Sequence, residues 1–178
     1  TVAVLRRAGM DARIRDQPGM DKLALLSLVS LGAAFVVFGT QSFVTGSVAM
    51  ASFAIHLLRM RQYHSLKALR DPMLWILHAG FGWLVAGLFI LGLSGFGIGS
   101  FPVAIHALTV GSIGSMTLGM MCRVTLGHTG RDLVCGSVPV ASFALMQMAA
   151  IMRVFGPLFI PDHYTFWVVG SGVLWAGC

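Results

Sequence analysis

The chain has 178 residues, of which 57% are hydrophobic and only 10% are charged, and its mean hydropathy is +0.85. This composition argues against an ordinary soluble domain. The formal net charge is +6, but the basic residues flank long apolar stretches, which favours a role in membrane orientation over nucleic-acid binding. The three cysteines form no C-x-x-C pair, which argues against a disulfide scaffold, a thiol redox motif and covalently attached c-type haem.

Charged residues are missing from three long stretches, which lie between Lys22 and Arg59, between Asp71 and Arg123, and between Asp132 and Arg153. A helix that crosses a bilayer needs roughly 20 mostly apolar residues. The sequence therefore predicts an all-α, polytopic transmembrane helical bundle with about six spans and the lipid bilayer as its main partner. The predicted spans lie near residues 23–38, 43–58, 73–93, 101–122, 133–152 and 164–178.

Turn signals divide the chain further. Residues 1–22 are polar and predict a segment outside the bundle, which occupies residues 23–178. Residues 39–42, Gly-Thr-Gln-Ser, predict a turn that splits the first apolar stretch into two spans. Pro72 suits the first turn of a helix. The glycine-rich residues 94–100 lack the following Lys-Ser/Thr of a phosphate-binding loop and instead predict a turn. Short loops imply antiparallel neighbours.

The positive-inside rule tests this topology. Alternating crossings place the segment 1–22 and the loops 59–71 and 123–132 on one side. Eleven of the twelve Lys and Arg residues lie there, namely Arg6, Arg7, Arg13, Arg15, Lys22, Arg59, Arg61, Lys67, Arg70, Arg123 and Arg131. Arg153 alone falls on the other side. The sequence therefore predicts a multi-pass protein of the bacterial inner (cytoplasmic) membrane with a cytoplasmic N-terminal segment.

Histidines inside predicted spans are candidate functional residues, because ionisable groups are rare within a membrane. His56 and His78 lie near the cytoplasmic ends of the second and third spans, and His106 lies near the outer end of the fourth. Imidazole is an axial ligand of b-type haem and a good copper ligand. His56 and His78, at similar depth on adjacent helices, suit a haem clamp. Alternatively, each histidine bonds a neighbouring carbonyl or lies in the interface. His64, His128 and His163 fall in predicted loops.

Helical spacing indicates which faces pack. On the fourth span, Gly111, Ser115 and Gly119 recur every four residues and predict a small-residue seam for close packing. At about 100° per residue, His106 points away from that seam, on a face shared with Val110, Ile113 and Thr117.

The neighbours of the other two histidines are small. Gly82 follows His78 by one turn and leaves space beside its ring, as a flat macrocycle would need. His56 shares a helical stripe with Thr45, Ala49 and Ser52, which suits a cavity wall.

Two further signals stay open at this point. Arg153 either snorkels its guanidinium to the headgroups, which we favour, or pairs with a haem propionate. Cys122, Cys135 and His128 flank one predicted loop, and this spacing is a weak signal for a metal site.

Two stretches resemble a known family. Residues 106–131 read HALTVGSIGSMTLGMMCRVTLGHTGR, and residues 70–88 read RDPMLWILHAGFGWLVAGL with its Leu77-His78 pair. Together they resemble the NnrS family of membrane proteins, most clearly over residues 59–131. The resemblance is to the C-terminal half of these longer proteins. It implies that the remaining half of a parent chain, or other membrane subunits, complete the bundle.

The resemblance implies haem b, copper and a link to nitric-oxide metabolism, nitrosative stress and denitrification. His78, His106 and His128 match the family's characteristic histidines and are the predicted metal ligands. His78, His106, His56 and Arg153 are the predicted cofactor-binding residues. No turnover reaction follows from the resemblance, so enzymatic activity stays open. The alternative function is a non-catalytic transmembrane subunit of a larger redox or energy-transducing complex. A transporter is disfavoured because no Asp or Glu lies within a predicted span.

Overall fold

The computed structural model describes residues 18–61 and 71–178, which are helical apart from short connections. The predicted polar segment up to residue 17, and residues 62–70 of the predicted basic loop with His64, lie outside the described residues. The predicted all-α class is confirmed. Five helices are long and apolar enough to cross a membrane, and a sixth is shorter.

The helices follow one another along the chain as antiparallel neighbours. Their bounds are α1 Pro18–Phe38, α2 Phe43–Arg61, α3 Pro72–Gly95, α4 Phe101–His128, α5 Ser137–Phe159 and α6 Tyr164–Ala176, with a 3₁₀ turn at Pro161–His163 before α6. The bundle thus has a basic end, where α1, α3 and α5 begin, and an opposite end with the turns at 39–42 and 96–100.

Two sequence-based placements are wrong because helices extend beyond the predicted spans. His128 is the last residue of α4 and does not lie in a loop. Arg153 lies within α5, before its end at Phe159, and not in the connection that follows it. In both cases an apolar helix continues past its first charged residue.

Local chemistry fixes the ends of several helices. The side chain of Asp71 accepts a hydrogen bond from the backbone N–H of Met73 at 2.9 Å, and Pro72 occupies the first turn of α3, as predicted. The turn at residues 39–42 is also confirmed, with Gly39 at a φ of 81°, a conformation that only glycine adopts readily.

Bonds at both ends hold α1 and α2 together. The Thr45 hydroxyl donates to the carbonyl of Gly39 at 2.8 Å near the turn. At the basic end, the Arg59 guanidinium pairs with the Asp21 carboxylate at 2.8 Å. This pairing places the start of α1 and the end of α2 at the same level, so the first apolar stretch forms two antiparallel helices, each long and apolar enough to cross a membrane.

Small residues let α3 approach both of its neighbours. Gly95 and Gly92 of α3 lie against Gly46 of α2, backbone to backbone. On α4 the predicted small-residue seam is confirmed: a Cβ added at Gly111 would lie 2.6 Å from Cγ of Trp83, and Ser115 is fully buried. Close backbone approach therefore sets the spacing of the central helices.

The middle of α4 is a π-helix over Ala107–Gly114, between α-helical segments that end at His106 and resume at Ser115. In a π-helix the backbone bonds run from i to i+5, and such segments in proteins occur frequently at functional sites. The segment begins directly after one of the predicted ligand residues.

Candidate functional site

His106 and Arg153 line one chamber between α4, α5 and α6. The chamber has a volume of about 360 Å³, and Val110, Val168, Ser171, Gly172 and Trp175 complete its wall. His106 lies in the second turn of α4, and Arg153 lies near the end of α5, so antiparallel packing brings them to the same level. We call this space the His106 chamber. Its volume falls within the usual range of small-molecule sites.

Arg153 brings an unpaired positive charge to the chamber and acts electrostatically on His106. Across residues 18–61 and 71–178, the one ion pair found joins Arg59 to Asp21, so no described carboxylate neutralises Arg153. A cation inside an apolar bundle costs free energy unless it pairs with an anion or reaches the membrane–water interface. The chamber therefore suits a ligand that carries an anionic group.

A second, apolar chamber of about 500 Å³ adjoins the first, and the two share Val110 and Trp175 as wall residues. Ile113 and Thr117 of α4 and Met146 of α5 belong to the apolar chamber. The face of α4 predicted to point away from the small-residue seam is thus the face that lines both chambers. We call this second space the apolar chamber.

A buried polar network holds α3, α4 and α5 together beside these chambers. The indole N–H of Trp83 donates to Oε1 of Gln147 at 2.9 Å, and Nε2 of Gln147 donates to the Ser115 hydroxyl at 2.7 Å. Sequence reasoning missed Gln147, because it searched the spans for ionisable groups alone. An amide in the middle of an uncharged span was the available signal, since such side chains bond across helices in membranes.

His78 lies on α3 in the half of the bundle nearer the basic end. Its Nδ1 donates a hydrogen bond to the carbonyl of Leu74 at 2.8 Å. A Cβ added at Gly82 would meet only Cε of Met60 among the described atoms, at 3.8 Å, so there is room at Gly82. Ligand binding by His78 stays a prediction.

His56 is 2% exposed, and neither ring nitrogen makes a hydrogen bond in the described part of the chain. Its ring packs against Phe81, with centroids 5.8 Å apart, one turn from His78. The stripe that it shares with Thr45 and Ser52 is buried between helices. The haem clamp of His56 and His78 stays a prediction.

The histidine at the basic end is exposed. His128 shares an open groove of about 460 Å³ with Arg123 and Leu133. Nearby, burial is the main cause that raises the pKa of the Cys135 thiol, and Cys122 and the Asp71 carboxylate raise it further. Within the described ranges, no three His, Cys, Asp or Glu side chains meet as a metal site. The structure therefore does not bring His78, His106 and His128 together, nor His128 and the two cysteines.

The comparison with known families decides the chain's membership. The sequence model of the family described as NnrS protein matches residues 1–178. The chain belongs to the NnrS family. No curated protein and no solved structure matches it. The match extends over the flanks of the two stretches that carry the resemblance, and the family is linked to the response to nitric oxide.

Haem binding by this NnrS chain stays a prediction from the family resemblance, and the described residues offer some of the groups that a haem contacts. A haem needs one or two imidazoles, an apolar enclosure and cationic or polar partners for its propionates. The His106 chamber supplies an imidazole, apolar walls and Arg153. A copper site needs several ligands that converge on one ion, and the described residues offer no such group. Copper binding stays a prediction from the family resemblance.

Proposed function

We propose that this chain is a haem-binding NnrS membrane protein that acts in nitric-oxide metabolism or in the nitrosative-stress response. The observation that carries the proposal is the pairing of His106 and Arg153 in one chamber. In this proposal the His106 imidazole binds the haem iron, and the Arg153 guanidinium pairs with a propionate. When bound, the haem supplies a metal centre that takes nitric oxide as a ligand.

The chain's own residues define the properties of this centre. The imidazole of His106 sets the electron density at the metal that it binds. Arg153 interacts strongly with an anion because the surroundings are apolar and the effective dielectric constant is low. Val110 and Val168 give the chamber apolar wall surface. These roles require binding and orientation, and they require no group that transfers a proton.

His78 is the second candidate ligand, and the structure separates it from His106. Gly87 of α3 lies against Leu108 of α4, close to His106 in sequence. His78 is nine residues before Gly87, which corresponds to roughly 14 Å along the helix axis at 1.5 Å per residue. A ligand at His78 would therefore be a second one, nearer the basic end.

Optical spectroscopy of the purified full-length protein tests the proposal. We expect a Soret band that is lost or strongly shifted in His106→Ala, and a lower haem occupancy in Arg153→Met, which keeps the apolar stem and removes the charge. His163→Ala is the matched control, because His163 is an exposed histidine in the turn before α6. It should retain the wild-type spectrum.

Two outcomes would contradict the proposal. If the wild-type protein had no Soret band, the chain would not bind haem. A Soret band that is unchanged in His106→Ala but lost in His78→Ala would show that His78 on α3 binds the haem iron. The His106 chamber would then not be the haem site.

A further inference from the structure

We propose that the apolar chamber is the route by which a small, neutral, lipid-soluble gas molecule reaches His106 from the bilayer. The inference rests on the proposed function, because the route ends at the proposed iron ligand. It adds the direction of entry, the side chains that form the path and a distinction between neutral and anionic ligands.

The two chambers adjoin. Val110 and Trp175 belong to the walls of both, so these two side chains lie where the apolar chamber and the His106 chamber meet. Val110 lies one turn from His106 on α4, and Trp175 approaches from the last turn of α6. A molecule that passes between these two side chains moves from the apolar chamber to the imidazole.

The wall of the apolar chamber favours neutral molecules. Ile113, Leu118 and Met146 contribute apolar side chains. The hydroxyl of Thr109 donates to the carbonyl of Ile105 at 2.8 Å, so its proton is already bonded within the helix. Because an ion would lose its hydration without gaining partners along this wall, the wall disfavours charged ligands.

The apolar chamber opens outward from the bundle. Ile113 is 61% exposed and Met121 is 62% exposed, and both line the chamber. No described helix covers these side chains, and in this proposal they meet lipid hydrocarbon, in which small neutral gases dissolve well. The volume of about 500 Å³ is many times the roughly 30 Å³ that a water-sized molecule occupies in a liquid. The chamber therefore suits transit better than tight binding of a diatomic molecule.

Trp175 lies where the two chambers meet. It is 58% exposed and has a large ring, and in this proposal the position of that ring sets the width of the passage to His106. An anionic ligand has a different approach, because Arg153 lies in the His106 chamber and not in the apolar chamber. Neutral and anionic ligands of one iron should therefore respond differently to changes in the apolar wall.

Ligand-binding kinetics of the haem-loaded full-length protein in lipid nanodiscs test this route. Carbon monoxide is the neutral probe, measured as rebinding after flash photolysis, and azide is the anionic probe, measured by stopped flow on the oxidised protein. The test variant is Ile113→Trp, which fills the apolar chamber. The matched control is Ile151→Trp on α5, since Ile151 is 49% exposed and lines neither chamber.

We expect Ile113→Trp to slow carbon monoxide rebinding several-fold while azide binding keeps its wild-type rate. Ile151→Trp should leave both rates unchanged, and Trp175→Ala should speed carbon monoxide rebinding.

Equal carbon monoxide rates in the two Ile→Trp variants would overturn the route. A similar slowing of azide by Ile113→Trp would also overturn it, because that result indicates damage to the haem site. A wild-type protein with no Soret band would overturn both the proposed function and the route, and the wild-type spectrum alone reveals this case.

Discussion

Several hydroxyl groups in these helices bond to a carbonyl of their own helix. Ser47 donates to Phe43, and Ser94 donates to Leu91, at 2.8 and 2.9 Å respectively. Such local bonds satisfy a hydroxyl at little cost and leave it unavailable to a ligand. His106 and Arg153 differ, because neither makes a hydrogen bond to another described residue in the structure. Their polar groups face a chamber, which is why we assign the site to them.

At the residue scale, the thiol of Cys135 gives a pH-dependent prediction. Burial, Cys122 and the Asp71 carboxylate raise its pKa, so less thiolate is present at a given pH, and alkylation is slower than for an unperturbed thiol. Replacing Asp71 with Asn removes a negative charge and lowers this pKa. We therefore expect Asp71→Asn to speed alkylation of Cys135 by N-ethylmaleimide at pH 7.5, measured by mass spectrometry of the modified peptide.

Asparagine keeps the cap on α3, because Asn and Asp serve equally well at this position. Cys178 is the internal control, since Asp71 has no influence on it. If Asp71→Asn changed the alkylation rate of neither Cys135 nor Cys178, the Asp71 carboxylate would not act on the Cys135 thiol.

At this scale the sequence predicted correctly those features in which a periodic pattern along one helix determines the direction of its side chains. The spacing of Gly111, Ser115 and Gly119 located the packed face of α4, and the opposite face contains the chambers. It failed for Gln147, whose two bonds depend on Trp83 and Ser115 of other helices. The spacing of residues along one helix does not predict which side chains of other helices will be hydrogen-bond partners. The same limit applies to His56, because the position of Phe81 beside it follows from how α2 and α3 pack.

At the scale of the element, helix starts were more predictable than helix interiors. Pro72 and Asp71 together mark the start of α3, because proline suits the first turn and aspartate caps it. No local signal marked the π-helix at Ala107–Gly114. Its residues are common in ordinary membrane helices, and its geometry is stabilised by packing against α3 and α5.

The contact between α2 and α3 predicts a large effect of one methyl group. A Cβ at Gly95 would collide with the backbone of Gly46, which cannot move without separating the helices. We expect Gly95→Ala to lower the free energy of unfolding by about 1–3 kcal/mol, the usual cost of overpacking. The measurement is the unfolding midpoint in mild detergent.

Gly32→Ala on α1 is the matched control, since an added Cβ there meets nothing within 4 Å. Alanine has the higher helix propensity, so this variant should keep or slightly raise the stability, by up to about 1 kcal/mol. Equal midpoints for the two variants would show that the α2–α3 contact tolerates a wider spacing.

At the scale of the whole molecule, alternating helices collect the basic residues at one end. The Asp21–Arg59 pair and the end of α4 at His128 both lie at this basic end. The positions of the Lys and Arg residues in the sequence predicted this arrangement, because the end of the bundle at which a loop lies depends only on the number of helices before it. The two chambers lie between α4, α5 and α6, and no single-helix pattern anticipated that Val110 and Trp175 would line both of them.

We propose that the basic end faces the cytoplasm of a bacterial inner membrane, in keeping with the positive-inside rule. Cysteine labelling tests this orientation in a background with the three native cysteines replaced by serine. Ile98→Cys reports on the opposite end and Thr129→Cys reports on the basic end, and both positions are exposed. In spheroplasts, a membrane-impermeant maleimide should label Ile98→Cys at once and Thr129→Cys only after lysis. The reverse order would invert the topology.

The π-helix of α4 has a consequence for how this helix tolerates insertions and deletions. Its wider turns set the angular phase between His106 and the small-residue seam that starts at Gly111. Deleting one residue between them would shift that phase by about 100°, the rotation per residue of an α-helix. The seam would still fit α3, while the imidazole would turn out of its chamber. The number of residues between His106 and Gly111 therefore matters in addition to the side chains there, and this part of α4 acts as a spacer of fixed length.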